Sequence, residues 1–137
     1  MLEYRSSKFK DDTKKILTRV RLKLVKGDAE KITERVKKNL EYRKISTPYT
    51  KASLGSIYTR LRENDAWIYP GKLIEDASLK GFSIGGAMVS PVHANYIVNE
   101  ASATFDGVVS LMLEVEKRVY EHSGRRLNRE ILIWSDR

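Results

Sequence analysis

One acidic residue in an otherwise apolar run is the first candidate for chemistry in this sequence. Residues 127–134 read Leu-Asn-Arg-Glu-Ile-Leu-Ile-Trp, a pattern that predicts a strand, and Glu130 is the single acid in it. A buried carboxylate needs a cationic or hydrogen-bonding partner, so Glu130 is a candidate site residue. The same periodicity allows Glu130 to face solvent on an edge strand. Periodicity alone leaves both interpretations open.

Two further side chains are suited to chemistry. Arg5 lies in the segment Tyr4-Arg5-Ser6-Ser7, and a guanidinium can hold a carboxylate through two parallel hydrogen bonds. Ser56 follows a glycine in a loop; because serine is a weak acid, its hydroxyl needs a neighbouring group or a water molecule to relay protons. The simpler interpretations are a frayed terminal arginine and a turn serine.

Histidine, the usual general base near neutral pH, occurs only twice. His93 begins an apolar stretch and has no acidic residue at a useful spacing, so we predict a structural, hydrogen-bonded role for it. His122 lies near the end of a predicted helix, where it can offset the helix dipole. Neither position favours acid–base catalysis by histidine.

Composition excludes several classes of function. The 137 residues include no cysteine, which removes disulfides, thiol nucleophiles and thiolate metal sites, and we predict no metal centre. The sequence has neither a run of 18 apolar residues nor a charged-then-apolar leader, so we expect no membrane span and no secretory signal. A chain of this size buries about 68–70% of its unfolded surface. We therefore expect a soluble, cytoplasmic unit that does not act at a membrane.

The net charge of +8 is concentrated at the start of the chain, since residues 1–43 hold 14 basic and 7 acidic residues. Such a segment could neutralise nucleic-acid phosphates. It could also be a solvated helix face and the charged side of a strand, or the complement of an acidic surface elsewhere. No aromatic residues are interleaved with these charges as single-strand binding requires, so we predict no nucleic-acid partner.

Hydrophobic periodicity predicts the elements that position these residues. Residues 16–25 alternate Val20, Leu22 and Leu24 with basic residues, a pattern typical of a half-buried strand. Helices are predicted over residues 28–43, 71–77 and 104–122. The chain contains no regular βαβ repeat, so we predict an α+β fold: a small mixed or antiparallel sheet with about three packed helices.

The caps of the two longer helices are also predicted. Asp28 is a suitable N-cap for the first helix, and Ser102 or Thr104 for the last. Gly124 is the expected C-terminal stop of the last helix. Along that helix, apolar residues at three- and four-residue steps predict a core stripe, which comprises Val108, Met112, Val115 and Val119.

A pair of glycines, Gly85 and Gly86, lies between an apolar turn and the apolar run Tyr96-Ile97-Val98. Glycine tolerates positive φ and allows another backbone or a ligand to approach closely. The β-branched run favours a strand covered on both faces. We therefore expect the glycine pair to make room for such an approach, and we include both glycines among the candidate substrate-binding residues.

The segment from Lys72 to Asn99 resembles a known family. Its motifs are similar to those of the C-terminal, substrate-binding domain of UDP-N-acetylenolpyruvoylglucosamine reductases. These motifs are Lys-Leu-Ile-Glu, Leu-Lys-Gly, Gly-Gly-Ala, Val-Ser and His-Ala-Asn-Tyr-Ile-Val-Asn. These flavoenzymes are also called UDP-N-acetylmuramate dehydrogenases. The resemblance implies an oxidoreductase of peptidoglycan synthesis that uses FAD and NADPH to convert UDP-N-acetylglucosamine enolpyruvate to UDP-N-acetylmuramate.

The resemblance also implies roles for three residues. The segment around Tyr4 and Arg5 resembles the tyrosine-arginine-x-serine motif whose arginine faces the enolpyruvyl group. Ser56 matches the serine that donates a proton to the substrate carbon, and Glu130 matches a glutamate that helps to polarise the enolpyruvyl group. Arg5, Ser56 and Glu130 are therefore the predicted catalytic residues. The predicted substrate-binding residues are Tyr4, Lys51, Arg60, Gly85 and Gly86.

Several positions depart from the family pattern. Thr59 and Arg60 stand where lysine and asparagine are common, Met88 replaces a frequent glutamine, and Leu132 replaces a basic residue. Arg60 or Lys51 could contact the diphosphate instead, or either could be a solvated loop charge. These departures motivate an alternative: a non-catalytic relative that binds a sugar nucleotide or a protein.

The resemblance further implies a division of the chain. Residues 1–15 are expected to be the end or a remnant of a flavin-binding region, and residues 16–137 the substrate-binding domain. No dinucleotide fingerprint precedes Tyr4, so a missing flavin-binding domain is an expected partner. The fragment alone is expected to bind no cofactor and to be inactive.

Overall fold

The fold has three helices and ten short strands in the part of the chain that a computed structural model describes, residues 2–9 and 14–134. In chain order these are β1 (Leu2–Glu3), β2 (Ser6–Ser7), α1 (Ala29–Ser46), β3 (Ser53–Ser56), β4 (Tyr58–Thr59), β5 (Leu61–Glu63), β6 (Ala66–Ile68), α2 (Pro70–Asp76), β7 (Ser83–Ile84), β8 (Ala87–Val89), β9 (Tyr96–Asn99), α3 (Phe105–Ser123) and β10 (Asn128–Arg129). Within the described ranges, no helix has the length and apolar character needed to cross a membrane.

A four-stranded sheet with the order β3-β9-β8-β7 forms the central layer, and each of its neighbouring pairs is antiparallel. Three two-stranded ribbons accompany it: β1-β2, β5-β6 and β4-β10. Helix α3 packs against β7, β8 and α2. The predicted α+β class is therefore confirmed, and the sheet is antiparallel.

Helix α3 supplies much of the core. Leu111, Met112, Val115 and Val119 are at most 1% exposed, which agrees with the predicted stripe apart from the partly buried Val108. The Thr104 hydroxyl accepts a hydrogen bond from the Gly107 N–H at 3.1 Å, so Thr104 is the N-cap. The C-cap Gly124 adopts φ +68°, which confirms the predicted stop.

The glycine pair forms the turn between β7 and β8, with φ +55° at Gly85 and +80° at Gly86. A Cβ atom on Gly86 would lie 2.1 Å from the Ala101 carbonyl oxygen, and one on Gly85 would lie 2.8 Å from the Gly107 Cα. Gly85 therefore makes room for backbone at the start of α3, and Gly86 makes room for backbone of the loop before α3. The predicted close approach is that of protein backbone.

The predicted strand over residues 16–25 is absent, and this prediction is wrong. Residues 15–28 have no regular secondary structure, and Val20, Leu22 and Leu24 are 64%, 74% and 83% exposed. A strand forms only where a neighbouring strand pairs with its N–H and C=O groups. In the described ranges no strand pairs with this segment.

Helix α1 forms over a slightly longer range than predicted. Asp28 is its N-cap, and the Asp28 carboxylate accepts a hydrogen bond from the Lys31 N–H at 2.9 Å. Unlike α2 and α3, α1 has no buried residue. Its apolar stripe remains open, because Ile32, Val36 and Leu40 are 42%, 51% and 45% exposed.

The last strand is shorter than predicted. Strand β10 contains only Asn128–Arg129, which pair with β4, although the Glu130 N–H still donates to the Ile57 carbonyl at 2.8 Å. Leu132 and Trp134 are 84% and 88% exposed. Since β4 has two residues, it offers no partner for a strand that continues to residue 134.

Candidate functional site

A cavity of about 590 Å³ brings together residues from the beginning, middle and end of the chain. Arg5, Ser56 and Glu130 all contribute to its lining. They are 51 and 74 residues apart in sequence, so only the fold can place them together. The three predicted catalytic residues thus lie in one cavity.

The backbone of Ile57 fixes Ser56 next to Glu130. The Ile57 N–H donates to the Asn95 carbonyl at 2.9 Å, and the Ile57 carbonyl accepts from the Glu130 N–H at 2.8 Å. The Ile57 side chain is 1% exposed and belongs to the core. Ile57 is therefore held by two backbone hydrogen bonds and by core packing. Ser56 precedes Ile57 in the chain, and Glu130 is hydrogen-bonded to it, so both residues are tied to the same fixed point.

Arg5 and Glu130 form an ion pair, with 2.9 Å between Arg5 Nη2 and Glu130 Oε1. The Glu130 side chain is only 27% exposed and that of Arg5 is 54% exposed. Glu130 thus has a cationic partner, which excludes the interpretation of Glu130 as a solvent-facing residue of an edge strand. Arg5 has φ +55° in the turn between β1 and β2, a strained conformation for a residue with a Cβ atom.

Asn95 is a site residue that the sequence analysis did not identify. Its side chain is 7% exposed and pairs with the backbone of Tyr58: the Asn95 Oδ1 accepts from the Tyr58 N–H at 3.0 Å, and the Asn95 Nδ2 donates to the Tyr58 carbonyl at 2.9 Å. In the cavity wall, the Asn95 side chain thus makes the two hydrogen bonds with the Tyr58 backbone that a neighbouring strand would otherwise make. A polar residue inside the apolar run of residues 94–98 was the available signal.

Arg60 also lines the cavity, but its guanidinium faces two aromatic rings. The Arg60 Cζ lies 4.1 Å from the centre of the Tyr4 ring and 4.0 Å from that of Trp67. The two ring centres are 5.2 Å apart, so the guanidinium occupies the corner between the rings. The backbone N–H of Arg60 also donates a hydrogen bond to the Tyr4 hydroxyl at 3.4 Å.

The cavity lining also includes four further residues with titratable side chains: Lys72, Lys80, Glu75 and His93. Lys80 pairs with Glu75 at 2.8 Å, and Lys72 pairs with Asp76, a contact that raises the pKa of Lys72. With Arg5 and Arg60, the lining holds four cationic residues against two carboxylates. The excess positive charge suits an anionic ligand.

His93 has the hydrogen-bonded character that was predicted. Its Nδ1 accepts a hydrogen bond from the Asn95 N–H at 3.2 Å, and its ring contacts the Tyr96 ring edge-on. Burial lowers the pKa of His93 below the ordinary value. A neutral imidazole that already accepts at Nδ1 is a structural element of the wall.

Tyr58 lines the same cavity, although its hydroxyl is directed away from it. The hydroxyl donates to the Met112 carbonyl at 3.3 Å. Burial raises the pKa of Tyr58, and the neighbouring Glu116 carboxylate adds to this effect. Tyr58 therefore remains a neutral donor and links the cavity wall to α3.

Three predicted substrate-binding residues lie outside the cavity lining. Lys51 forms an ion pair with Glu100 at 2.9 Å. Gly85 contacts the start of α3, and Gly86 contacts the loop before it. Tyr4 and Arg60 do contribute to the lining.

Three of the four departures from the family pattern also lie outside the cavity lining. Thr59 donates from its hydroxyl to the Asn128 carbonyl at 3.4 Å. Met88 lies on β8 opposite Val98 of β9, and Leu132 is exposed. Arg60 is the departure that reaches the cavity.

The described residues suit recognition of an anion better than attachment of a cofactor. Among residues 2–9 and 14–134, no three histidine or acidic side chains are grouped as a metal site requires. A flavin dinucleotide needs backbone N–H groups presented to its diphosphate, typically by a glycine-rich loop that enters a helix. In the described ranges the glycine pair enters strand β8 instead, so this pair does not form such a loop.

Comparison with known proteins identifies the family. Residues 47–134 match the model of the UDP-N-acetylenolpyruvoylglucosamine reductase C-terminal domain. The chain is 42% identical over 131 residues to the UDP-N-acetylenolpyruvoylglucosamine reductase of Thermotoga maritima, covering 96% of this chain and 45% of the relative. It is 35% identical over 130 residues to that of Bacillus pumilus, covering 95% and 42%.

The fold comparison agrees with the sequence comparison. The crystal structure of the UDP-N-acetylenolpyruvylglucosamine reductase from Thermus caldophilus is similar with a TM-score of 0.63 and 30% sequence identity, covering 84% of this chain and 39% of that one. The chain thus spans less than half the length of the curated relatives quoted above. From the family match, the identities and the shared fold, this chain belongs to the UDP-N-acetylenolpyruvoylglucosamine reductase family, whose C-terminal domain it contains.

Proposed function

We propose that this chain forms the substrate-binding part of a reductase that converts UDP-N-acetylglucosamine enolpyruvate to UDP-N-acetylmuramate in peptidoglycan synthesis. The single observation that carries the proposal is the presence of Arg5, Ser56 and Glu130 in the lining of one cavity. Family membership supports the choice of this reaction. The cavity contains a guanidinium, a hydroxyl and a carboxylate, which are groups suited to this reaction. In this proposal the reaction takes place in the cytoplasm.

Arg5 is the residue that we assign to the substrate carboxylate. Its guanidinium can share its donors between Glu130, at 2.9 Å, and a carboxylate in the cavity, because a guanidinium has five N–H groups. Glu130 then holds Arg5 in place and balances part of its charge. As negative charge develops on the enol form of the substrate, the fixed guanidinium stabilises it.

Ser56 is the residue that we assign to proton transfer. Its hydroxyl proton passes to the substrate carbon, and a proton relayed from solvent then restores the hydroxyl. The position of Ser56 is set by the hydrogen bonds of Ile57, so the donor is fixed before the substrate binds. Preorganisation of this kind accelerates a step that would otherwise require a search for the right geometry.

The cofactors in this proposal are FAD and NADPH, bound by the rest of the complete enzyme. When bound there, reduced FAD supplies the hydride that the enolpyruvyl double bond accepts. The described residues of this chain bind and orient the substrate and manage its charge and proton. We propose that the chain without a flavin-binding part has no reductase activity.

The experiment that tests the function uses the chain joined to a flavin-binding part, either its own or the unmatched part of the Thermotoga maritima relative. Ser56→Ala is expected to lower turnover of UDP-N-acetylglucosamine enolpyruvate about 100-fold or more. Reduction of the flavin by NADPH is expected to be unchanged, because Ser56 acts only in the second half of the reaction. Stopped-flow absorbance of the flavin separates the two halves.

Ser53→Ala is the matched control. Ser53 lies on the same strand β3 but outside the cavity lining, so this variant should turn over at the wild-type rate. An unchanged rate in Ser56→Ala would remove Ser56 from the mechanism. Absence of reductase activity in the wild-type combination would overturn the proposed function itself.

The competing candidate is a relative that binds a sugar nucleotide or a protein without catalysis. It was motivated by Thr59, Arg60, Met88 and Leu132. Three of these four residues lie outside the cavity lining, which weakens the case that they remove catalytic contacts. The turnover assay distinguishes the two candidates directly.

The division of the chain into residues 1–15 and 16–137 belongs to the same proposal. The buried apolar core extends from Ile57 to Leu127, and the family match begins at residue 47. The open stripe of α1 therefore lies outside both. We propose that the flavin-binding part covers this stripe, since the curated relatives contain a further half that this chain does not match.

A further inference from the structure

Tyr4, Arg60 and Trp67 form a cluster beside the cavity that neither the core nor the proposed chemistry explains. The three groups make a triangle with sides of 4.1, 4.0 and 5.2 Å between the Arg60 Cζ and the two ring centres. Trp67 lies on β6 of the β5-β6 ribbon and is absent from the hydrophobic core cluster. The described contacts of its ring are with Tyr4, Arg60 and Arg62.

The Arg60 guanidinium packs between the Tyr4 and Trp67 rings. Its Nε is the only buried side-chain nitrogen or oxygen without a hydrogen-bond partner in the described ranges. Leaving such a donor unpaired is unfavourable, and the favourable contact of a cation with two aromatic rings offsets it. Arg60 thus contributes to the site through its contacts with Tyr4 and Trp67.

The cluster is connected to Arg5 through one peptide unit. Tyr4 and Arg5 are the two residues between β1 and β2, so fixing the Tyr4 ring restricts where the Arg5 side chain can reach. Arg5 also holds a positive φ, and a strained conformation persists only where surrounding contacts enforce it. This turn is held by the β1-β2 pairing, by the Arg5–Glu130 ion pair and by the contacts of Tyr4 with Arg60 and Trp67.

We propose that Trp67 and Arg60 are positioning residues that fix Tyr4 and thereby place the Arg5 guanidinium against Glu130. The inference deepens the proposed function, on which its kinetic test rests. The two residues act through Tyr4 and Arg5 and need no contact with the substrate. This differs from both sequence-based alternatives for Arg60, which were contact with the diphosphate and a solvated loop charge.

The first test is a spectroscopic double-mutant cycle on the chain itself. Glu130→Gln removes one partner of the ion pair and is expected to shift the Arg5 Nε–H signal in ¹H–¹⁵N NMR spectra. In a Trp67→Leu background Arg5 is no longer held, so the same substitution should move that signal by less than about a third as much. In a Trp67→Phe background the full shift should return, since an aromatic ring is restored.

Trp134→Leu is the matched control, because Trp134 is 88% exposed and lies outside the cluster. It should leave the Arg5 shift unchanged. Should Trp67→Leu fail to fold, Tyr4→Leu takes its place, since Tyr4 lies outside the core cluster and removes the same corner. An Arg5 shift of wild-type size in whichever variant is used would overturn the proposal.

The second test is kinetic and uses the chain joined to a flavin-binding part. Trp67→Leu should lower the rate of substrate reduction about 10- to 100-fold without changing flavin reduction. In an Arg5→Ala background, Trp67→Leu should cause little further loss, because there is no guanidinium left to position. Equal losses in both backgrounds would overturn the positioning role. A wild-type enzyme without activity would reject only the proposed function, and the NMR cycle would still decide the positioning role.

Discussion

The Arg129 guanidinium and the Glu116 carboxylate form two parallel hydrogen bonds, 2.6 Å from Nε to Oε1 and 2.8 Å from Nη2 to Oε2. Both side chains are less than a third exposed. The hydrogen bond with Glu116 raises the pKa of Arg129. Because Arg129 directly precedes Glu130, this pair ties the end of the cavity wall to α3.

Removal of the Glu116 carboxylate should therefore destabilise the fold. Glu116→Ala leaves a partly buried guanidinium without its partner, and we expect the free energy of unfolding to fall by about 2 kcal/mol. Urea unfolding followed by circular dichroism measures this. Glu121→Ala is the control on the same helix, because Glu121 and Lys117 are 4.0 Å apart and both mostly exposed. A loss of similar size in both variants would contradict the role given to the pair.

The two packed helices could be predicted because their signals are local. Helix α3 has a three- and four-residue apolar stripe, a threonine N-cap and a glycine stop, and apart from the partly buried Val108 each lies where the sequence indicates it. The strand over residues 16–25 could not be decided in this way. Its alternation describes a surface that needs a partner strand, and a partner is a property of the fold.

The candidate site shows the same division between local and distant signals. The roles of Arg5, Ser56 and Glu130 were implied by resemblance, and the fold places the three residues in the lining of one cavity. The contacts of Tyr4 with Arg60 and Trp67 join residues more than 50 positions apart, and no spacing rule predicts such contacts. The glycine pair signalled a close approach, but only the fold shows that the approaching group is backbone.

The close approach at Gly86 leads to a prediction about stability. Gly86→Ala would bring a Cβ atom to 2.1 Å from the Ala101 carbonyl oxygen at a residue with φ +80°, so we expect a loss of about 3 kcal/mol in urea unfolding. Gly81→Ala is the control, because its φ is +79° and nothing lies within 4 Å of the added atom. Its loss should be about 1 kcal/mol. Equal losses would show that strain alone accounts for the effect.

The position of His93 leads to a prediction about pH. Burial lowers the pKa of His93 in the folded chain, whereas unfolded histidine titrates at about 6.5. The unfolded chain therefore takes up this proton first, so the stabilisation is present above pH ~6.5 and is lost as the pH falls towards the folded value. Urea unfolding of wild type and His93→Gln should show a difference that is larger at pH 7.5 than at pH 5. A difference that grows on acidification would contradict this assignment.

The open stripe of α1 gives the last prediction, which tests whether the flavin-binding part covers it. Val36 is 51% exposed, so Val36→Glu should leave the stability of this chain unchanged. If the stripe is buried on association, the same change should weaken binding of a separately produced flavin-binding part about tenfold or more, since burying a valine contributes about 1.5–3 kcal/mol. Calorimetric titration measures the affinity.

Lys38→Gln is the control, because it shifts the charge by the same one unit on the same helix. This variant should bind as wild type does. Equal affinity of Val36→Glu and wild type would mean that another surface contacts the flavin-binding part, because a carboxylate cannot enter an apolar interface without a partner.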